Sequence, residues 1–407
     1  MKRKDILELK RRFKKDQCTF TRVCGCFVNS EKKIILELKE TFLNLDEDDY
    51  FKYLEIAKKV LSGTIDNNIL ELGFPKNSEG INNKQLSLIQ LKKSKLKNDD
   101  LLDDFYKSII DSYDYTGNYL ILIFHDAYDV ITKTTDNLKL DESDEVFEYV
   151  ICAICPVSLS SPGLSYYEEE NKIKSRIRDW IVEAPINGFL YPAFIDRGAD
   201  SNSLMYYTKN TRDIHPELME NALGCFSKET SAIQKDKFQS IIKDSLSADE
   251  EEANKLYMEI QENINDMVEE HKSMSDDIDT EPIKLTKINL QNILLESGVP
   301  KDNTTKIEDF YIENFNDNLP LAENLLDEKI LKVNEQRKKE RNLEKQVDFL
   351  KNKLEQFDLK DDDKDYDIIL HVKPEKAQEI KSQIIDGQEY IIIPINKNEK
   401  TTINELK

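Results

Sequence analysis

Two apolar runs constrain this chain more than anything else in it. Tyr119-Leu-Ile-Leu-Ile-Phe124 leads into His125-Asp126, and Val146-Phe-Glu-Tyr-Val-Ile-Cys-Ala-Ile-Cys155 stops at Pro156. Both are apolar at nearly every position, the pattern of strands buried on both faces rather than strands with one wet side. A chain holding two such strands has to build a sheet and cover it.

The flanking segments supply the rest of that sheet. Residues 18–28 read as a strand, Asn29-Ser-Glu-Lys32 as a turn and residues 33–38 as the returning strand of a hairpin. Further strands are predicted at residues 69–74, 180–183, 189–195 and 203–207. Pro192 lacks a ladder donor and restricts the 189–195 segment to a sheet edge. Helices are predicted after Asp46, with Tyr50, Leu54, Ala57 and Leu61 at helical spacing, and after Asn98, with Leu101, Leu102, Phe105, Ile109 and Tyr113. The fold class is α+β. An N-terminal sheet of about seven strands carries helices on one side, and a central helical segment and a small C-terminal α+β unit follow.

The expected domains are residues 1–227, 228–282 and 283–407. Length agrees with more than one core, because single cores rarely grow beyond ~250–300 residues and this chain has 407. In the middle segment, Ser247-Ala-Asp-Glu250 reads as a capping box opening a helix with Ala253, Leu256, Ile260, Ile264 and Met267 on one face. Residues 273–282 are an acidic linker. In the last segment, Leu343, Val347, Leu350, Leu354 and Phe357 repeat at spacings of 4, 3, 4 and 3, a short heptad seam that fits a helical hairpin or a dimer contact. Strands are expected at residues 367–372, 380–385 and 390–395, with Asp386-Gly387 as a hairpin turn.

Charge is unevenly spread. The net charge is −22, and residues 247–282 hold thirteen acidic side chains against two lysines. Residues 1–15 reverse the sign with Lys2, Arg3, Lys4, Lys10, Arg11, Arg12, Lys14 and Lys15 against Asp5 and Glu8. The acidic whole repels phosphate and anionic lipid, while the basic arm is read either as a docking helix with a solvated charged face or as a contact for RNA, the ribosome or an acidic partner. No secretory signal or membrane span is read in the sequence. Six cysteines are too sparse for a disulfide framework, so the expectation is a reduced, cytoplasmic protein.

Candidate chemistry lies at Cys24 and Cys26, at Cys152 and Cys155, and at His125 and Asp126. Four converging thiols would make a zinc site. Yet Cys152 and Cys155 stand three apart in a strand and so face opposite sides, and buried cysteine packs as a small hydrophobe. Gly25 between two thiols marks a bulge or a close backbone approach. His125 and Asp126 end a buried strand, where hydrolase metal ligands are found, but a second histidine would have to come from His215, His271 or His371. Asp361-x-Asp363-x-Asp365 begins like a calcium loop and departs from it at Tyr366 and Val372. No dinucleotide, phosphate-loop, zincin or serine-elbow motif is present, and no cofactor is expected.

Four stretches carry a resemblance: residues 11–26 (through Cys24-Gly-Cys26), 117–130 (Phe124-His-Asp-Ala-Tyr-Asp-Val130), 148–157 (Cys152-Ala-Ile-Cys-Pro-Val157) and 176–194 (opening Arg176-Ile-Arg-Asp-Trp180). On these the chain resembles, over its whole length, a family of uncharacterised bacterial proteins known only by a domain-of-unknown-function label and common in anaerobic Gram-positive bacteria. The resemblance implies a cytoplasmic protein of this size and transfers no activity or catalytic residue. The leading expectation is a non-enzymatic binding or assembly protein with a protein partner or a second copy of itself. The alternatives are a nucleic-acid- or ribosome-associated factor using the basic arm, and a metal- or thiol-dependent enzyme.

Overall fold

The computed structural model describes residues 2–14, 17–75, 82–130, 145–246, 250–274, 282–315, 318–361, 372 and 374–395. The chain divides into two units, Met1–Asn334 and Glu335–Lys407.

The first unit begins with α1 (Arg3–Arg12), β1 (Arg22–Val28), β2 (Ile34–Thr41), α2 (Glu47–Val60), β3 (Ile69–Gly73), α3 (Asn83–Lys93) and α4 (Asp99–Ser112). The long strands β4 (Asn118–Val130) and β5 (Glu145–Leu159) follow. Then come β6 (Leu164–Tyr167), β7 (Lys172–Ser175), β8 (Trp180–Val182), β9 (Asn187–Tyr191), β10 (Ala193–Ile195), β11 (Gly198–Asp200) and β12 (Ser203–Thr208). Eight of these strands form one sheet in the order β2-β1-β4-β5-β9-β12-β3, with β8 added to β5. Its pairings are antiparallel. The two apolar runs sit in the middle, paired from Asn118 opposite Val157 to Val130 opposite Glu145.

The α+β sheet with flanking helices is therefore present, and its helices cover both faces rather than one. Cys24, Cys26, Ile121, Ile123, Cys152 and Ile154 point to the face packed by α3 and α4, through Leu88, Leu91, Leu102, Phe105 and Tyr106. Leu122, Phe124, Tyr149, Ile151, Ala153 and Cys155 point to the face packed by α1 and α2, through Ile6, Leu9, Phe13, Tyr50, Leu54 and Ala57. Strands apolar at both odd and even positions leave no face that tolerates water, so cover on one side could not have sufficed. Gly188 and Ala153 lie opposite each other, and a Cβ on Gly188 would stand 3.1 Å from the Val60 side chain. Small residues there let α2 come down onto the sheet.

The segment carrying Pro192 corrects another expectation. β9 is an interior strand, between β5 and β12, with all five residues buried. It ends at Tyr191, so Pro192 falls between β9 and β10 and removes no donor from the ladder.

Beyond the sheet, α5 (Ser231–Ser245), α6 (Glu250–Met274), α7 (Lys287–Glu296) and α8 (Lys301–Phe315) share a third core built on Phe238, Ile242, Ile260, Ile264, Leu294 and Tyr311. The boundary expected at 282 separates residues that share this core. The cap expected at Ser247 lies outside the described residues. The second unit takes in the helix α9 (Glu328–Asp361) from Glu335 onward, then α10 (Pro374–Ala377) and the hairpin of β13 (Lys381–Ile385) with β14 (Gln388–Ile392). Asp386 and Gly387 turn the hairpin with φ of 53° and 85°, which suits a primed turn. The strand expected at 367–372 lies outside the described residues except for Val372, which has no regular structure.

Gly25 marks a close approach. It lies in β1 between β2 and β4, and a Cβ there would meet the Ile121 carbonyl oxygen at 2.4 Å and the Leu122 side chain at 2.9 Å. Gly25→Ala should therefore cost about 1–3 kcal/mol, read as a lower urea midpoint. Gly73→Ala, where nothing lies within 4 Å, should stay close to wild type. Equal midpoints for the two variants would refute the close-approach account.

Candidate functional site

The basic arm is a docked helix. Ile6, Leu9 and Phe13 are buried in the α1/α2 core, so the cations are fixed by the spacing of three apolar residues. Arg12 lies 3.8 Å over the Tyr128 ring and donates to Thr19 Oγ1 at 2.8 Å. The Tyr128 hydroxyl donates to Glu8 at 2.8 Å, and Glu8 accepts two further bonds from Arg197, Nε at 3.0 Å and Nη2 at 2.9 Å. Lys2 pairs with Asp196 at 3.3 Å. Arg3, Lys4, Arg11 and Lys14 are exposed, Lys10 is half-buried, and Lys15 lies outside the described residues. Burial, with Lys58 and Lys59 nearby, holds the Lys10 ammonium below the usual lysine range.

The four strand cysteines divide between the faces. Cys24, Cys26 and Cys152 lie on the α3/α4 side and Cys155 on the α1/α2 side, as period-2 geometry requires. Burial pushes every one of these thiols up, Cys26 and Cys155 to about 12. Cys24 donates to the Leu96 carbonyl at 3.7 Å. A thiol in this state is a poor nucleophile and a poor metal ligand. Cys225 is buried and Cys18 half-buried, and none of the six is in a disulfide. Among the described residues, no three His, Cys, Asp or Glu side chains are grouped so that they could hold a metal ion.

His125 and Asp126 are neighbours in β4 and so face opposite sides. Asp126 turns toward the α1/α2 core, where it accepts from Tyr149 Oη at 2.6 Å and from the Ala127 amide at 2.9 Å. His125 turns the other way and is fully buried. Its Nε2 stands 3.2 Å from Glu148 Oε1 and its Nδ1 2.7 Å from Thr21 Oγ1. Lys92 approaches the second Glu148 oxygen at 3.8 Å. A carboxylate only accepts, so Nε2 carries the imidazole proton and Nδ1 accepts from the Thr21 hydroxyl. Burial lowers the imidazole's proton affinity despite Glu148, which keeps it neutral.

Chemically, a hydroxyl, a neutral imidazole and an orienting carboxylate in series make a proton relay, with Thr21 at its exposed end. The contacts to Thr21 and Glu148 also satisfy both ring nitrogens of a buried histidine. The sequence singled out His125 but missed Thr21, Glu148 and Lys92. Glu148 did carry a signal: it is the only acidic residue within the run from Val146 to Pro156.

The chain belongs to the family described as Domain of unknown function (DUF4317), whose model matches residues 1–406. No curated protein matches it.

Two predictions follow from these contacts. The His125 imidazole is held below its ordinary value of 6.5, so its contribution to stability is whole above that pH and is lost as pH falls below it. Urea titrations at pH 7 and pH 5 should show His125→Gln losing part of the wild-type acid sensitivity; identical pH slopes would contradict the assignment. At the arm, Glu8→Ala and Arg197→Ala should each cost about 1–2 kcal/mol. The double variant should cost clearly less than their sum, because both remove one bidentate pair.

Proposed function

We propose that this protein is a non-enzymatic binding or assembly factor of the cytoplasm, with its second unit as the contact surface. One observation carries the reading: among the residues from 335 to 395 whose side chains are described none is buried, although the segment is rich in large apolar side chains. In the hairpin, Ile385, Tyr390 and Ile392 share one face while Ile384 and Ile391 share the other, and all five are exposed. An isolated two-stranded hairpin is marginal in water, and apolar surface exposed on this scale marks a contact. Six unpaired cysteines support a reducing compartment. Among the described residues no helix is long and apolar enough to cross a membrane.

A second reading, a nucleic-acid- or ribosome-associated factor, draws on Arg3 and Arg11 of α1 and on Lys14 just beyond it, all three exposed. Charge reversal at these three should abolish salt-sensitive RNA binding if that reading is right. Deleting the arm is a poorer test, since Ile6, Leu9 and Phe13 would leave the core with it.

Light scattering on the full chain should give a defined oligomer, or a fixed-stoichiometry complex with a co-purifying protein. Ile384→Asp with Ile391→Asp should weaken that association at least ten-fold without altering the melting of the first unit. A monomer that captures nothing would overturn the assembly reading.

A further inference from the structure

Resting on the assembly reading, we infer that the partner of α9 is α9 of a second copy, in a parallel, in-register two-stranded coil. The helix is continuous over 34 residues, about 50 Å at 1.5 Å per residue, so the seam read in the sequence lies along one uninterrupted face. Leu343, Val347 and Leu350 are 60%, 48% and 57% exposed. With Val347 at an a position, Leu343 and Leu350 fall at d, and Leu354 and Phe357 continue the register in the sequence. β-Branched residues at a with leucine at d favour two parallel strands.

The flanking charges choose the same arrangement. In a parallel coil each g residue meets the e residue five positions on in the partner helix. Here Lys339 at g meets Glu344, opposite in sign. An antiparallel coil would set g against g, and the charged g positions flanking the seam, Lys339 and Lys353, are both cationic. Lys339 lies 2.7 Å from Glu335 of its own helix with both side chains mostly exposed, and such an exposed pair costs little to exchange. Glu340 at an a position sets one end of the apolar seam, since two copies in register would bring like charges together there. The coil therefore starts at Leu343.

The test uses the full chain carrying Leu343→Cys or Leu350→Cys alone, oxidised and run on a non-reducing gel. In a parallel in-register coil each d residue faces its own copy, so both variants should give a covalent dimer while wild type gives none. No antiparallel pairing can bring both positions onto themselves. A dimer by light scattering in which one or neither variant cross-links overturns the parallel coil and leaves the assembly reading standing. A monomer that still captures another protein overturns the self-pairing alone. As an independent readout, Lys339→Glu should weaken dimerisation about five-fold, and adding Glu344→Lys should restore it; no restoration would count against the g–e pairing.

Discussion

The ladder between β4 and β5 is the interaction on which the first unit depends. Thirteen residues of β4 pair with β5 without a break, and the middle of both strands is inaccessible to water from either side. Backbone groups buried there are satisfied only by neighbouring strands, so the register cannot slip without exposing one apolar set and burying unpaired donors. The rest of the sheet and the helices that cover it are arranged around that ladder. β1 lies against β4, β9 against β5, and the helices lie where the side chains of these two strands emerge.

Much of this was legible because the signals are local. Apolar runs, the turn at Asn29–Lys32, the cap at Asn98, whose side chain accepts from the Leu101 amide at 3.1 Å, and the Asp386-Gly387 turn are all decided within a few residues. Two-sided cover was written in the unbroken apolarity of residues 119–124, but placing helices on both faces needed the sheet order, which is a property of the whole chain. β9 was misplaced because a proline was counted inside a strand that stops one residue before it. The site residues divide in the same way. Period-2 geometry separated Cys152 from Cys155 in advance, whereas the meeting of His125 with Thr21 and Glu148 joins residues 104 and 23 positions apart.

The charged arm shows how composition and role diverge. Six net positive charges in fifteen residues suggest an electrostatic contact, but three apolar side chains fix the helix, and Arg12 is spent on an aromatic face and a threonine. The exposed cations keep the charge available. The second unit divides the other way: a regular helix and a well-formed hairpin that, in the described residues, enclose nothing. Its secondary structure follows from local sequence, and large apolar side chains such as Ile384 and Ile391 stand exposed on it.

The clasp between Glu8 and Arg197 bears on the order in which the chain comes to rest. Its partners are 189 residues apart, and β1 meets β4 only after about a hundred residues have intervened. Contacts of such separation form late and slowly. During synthesis, then, α1 emerges long before the Arg197 that fastens it. Until Arg197 has been made, Glu8 on this basic amphipathic helix lacks the guanidinium that clasps it.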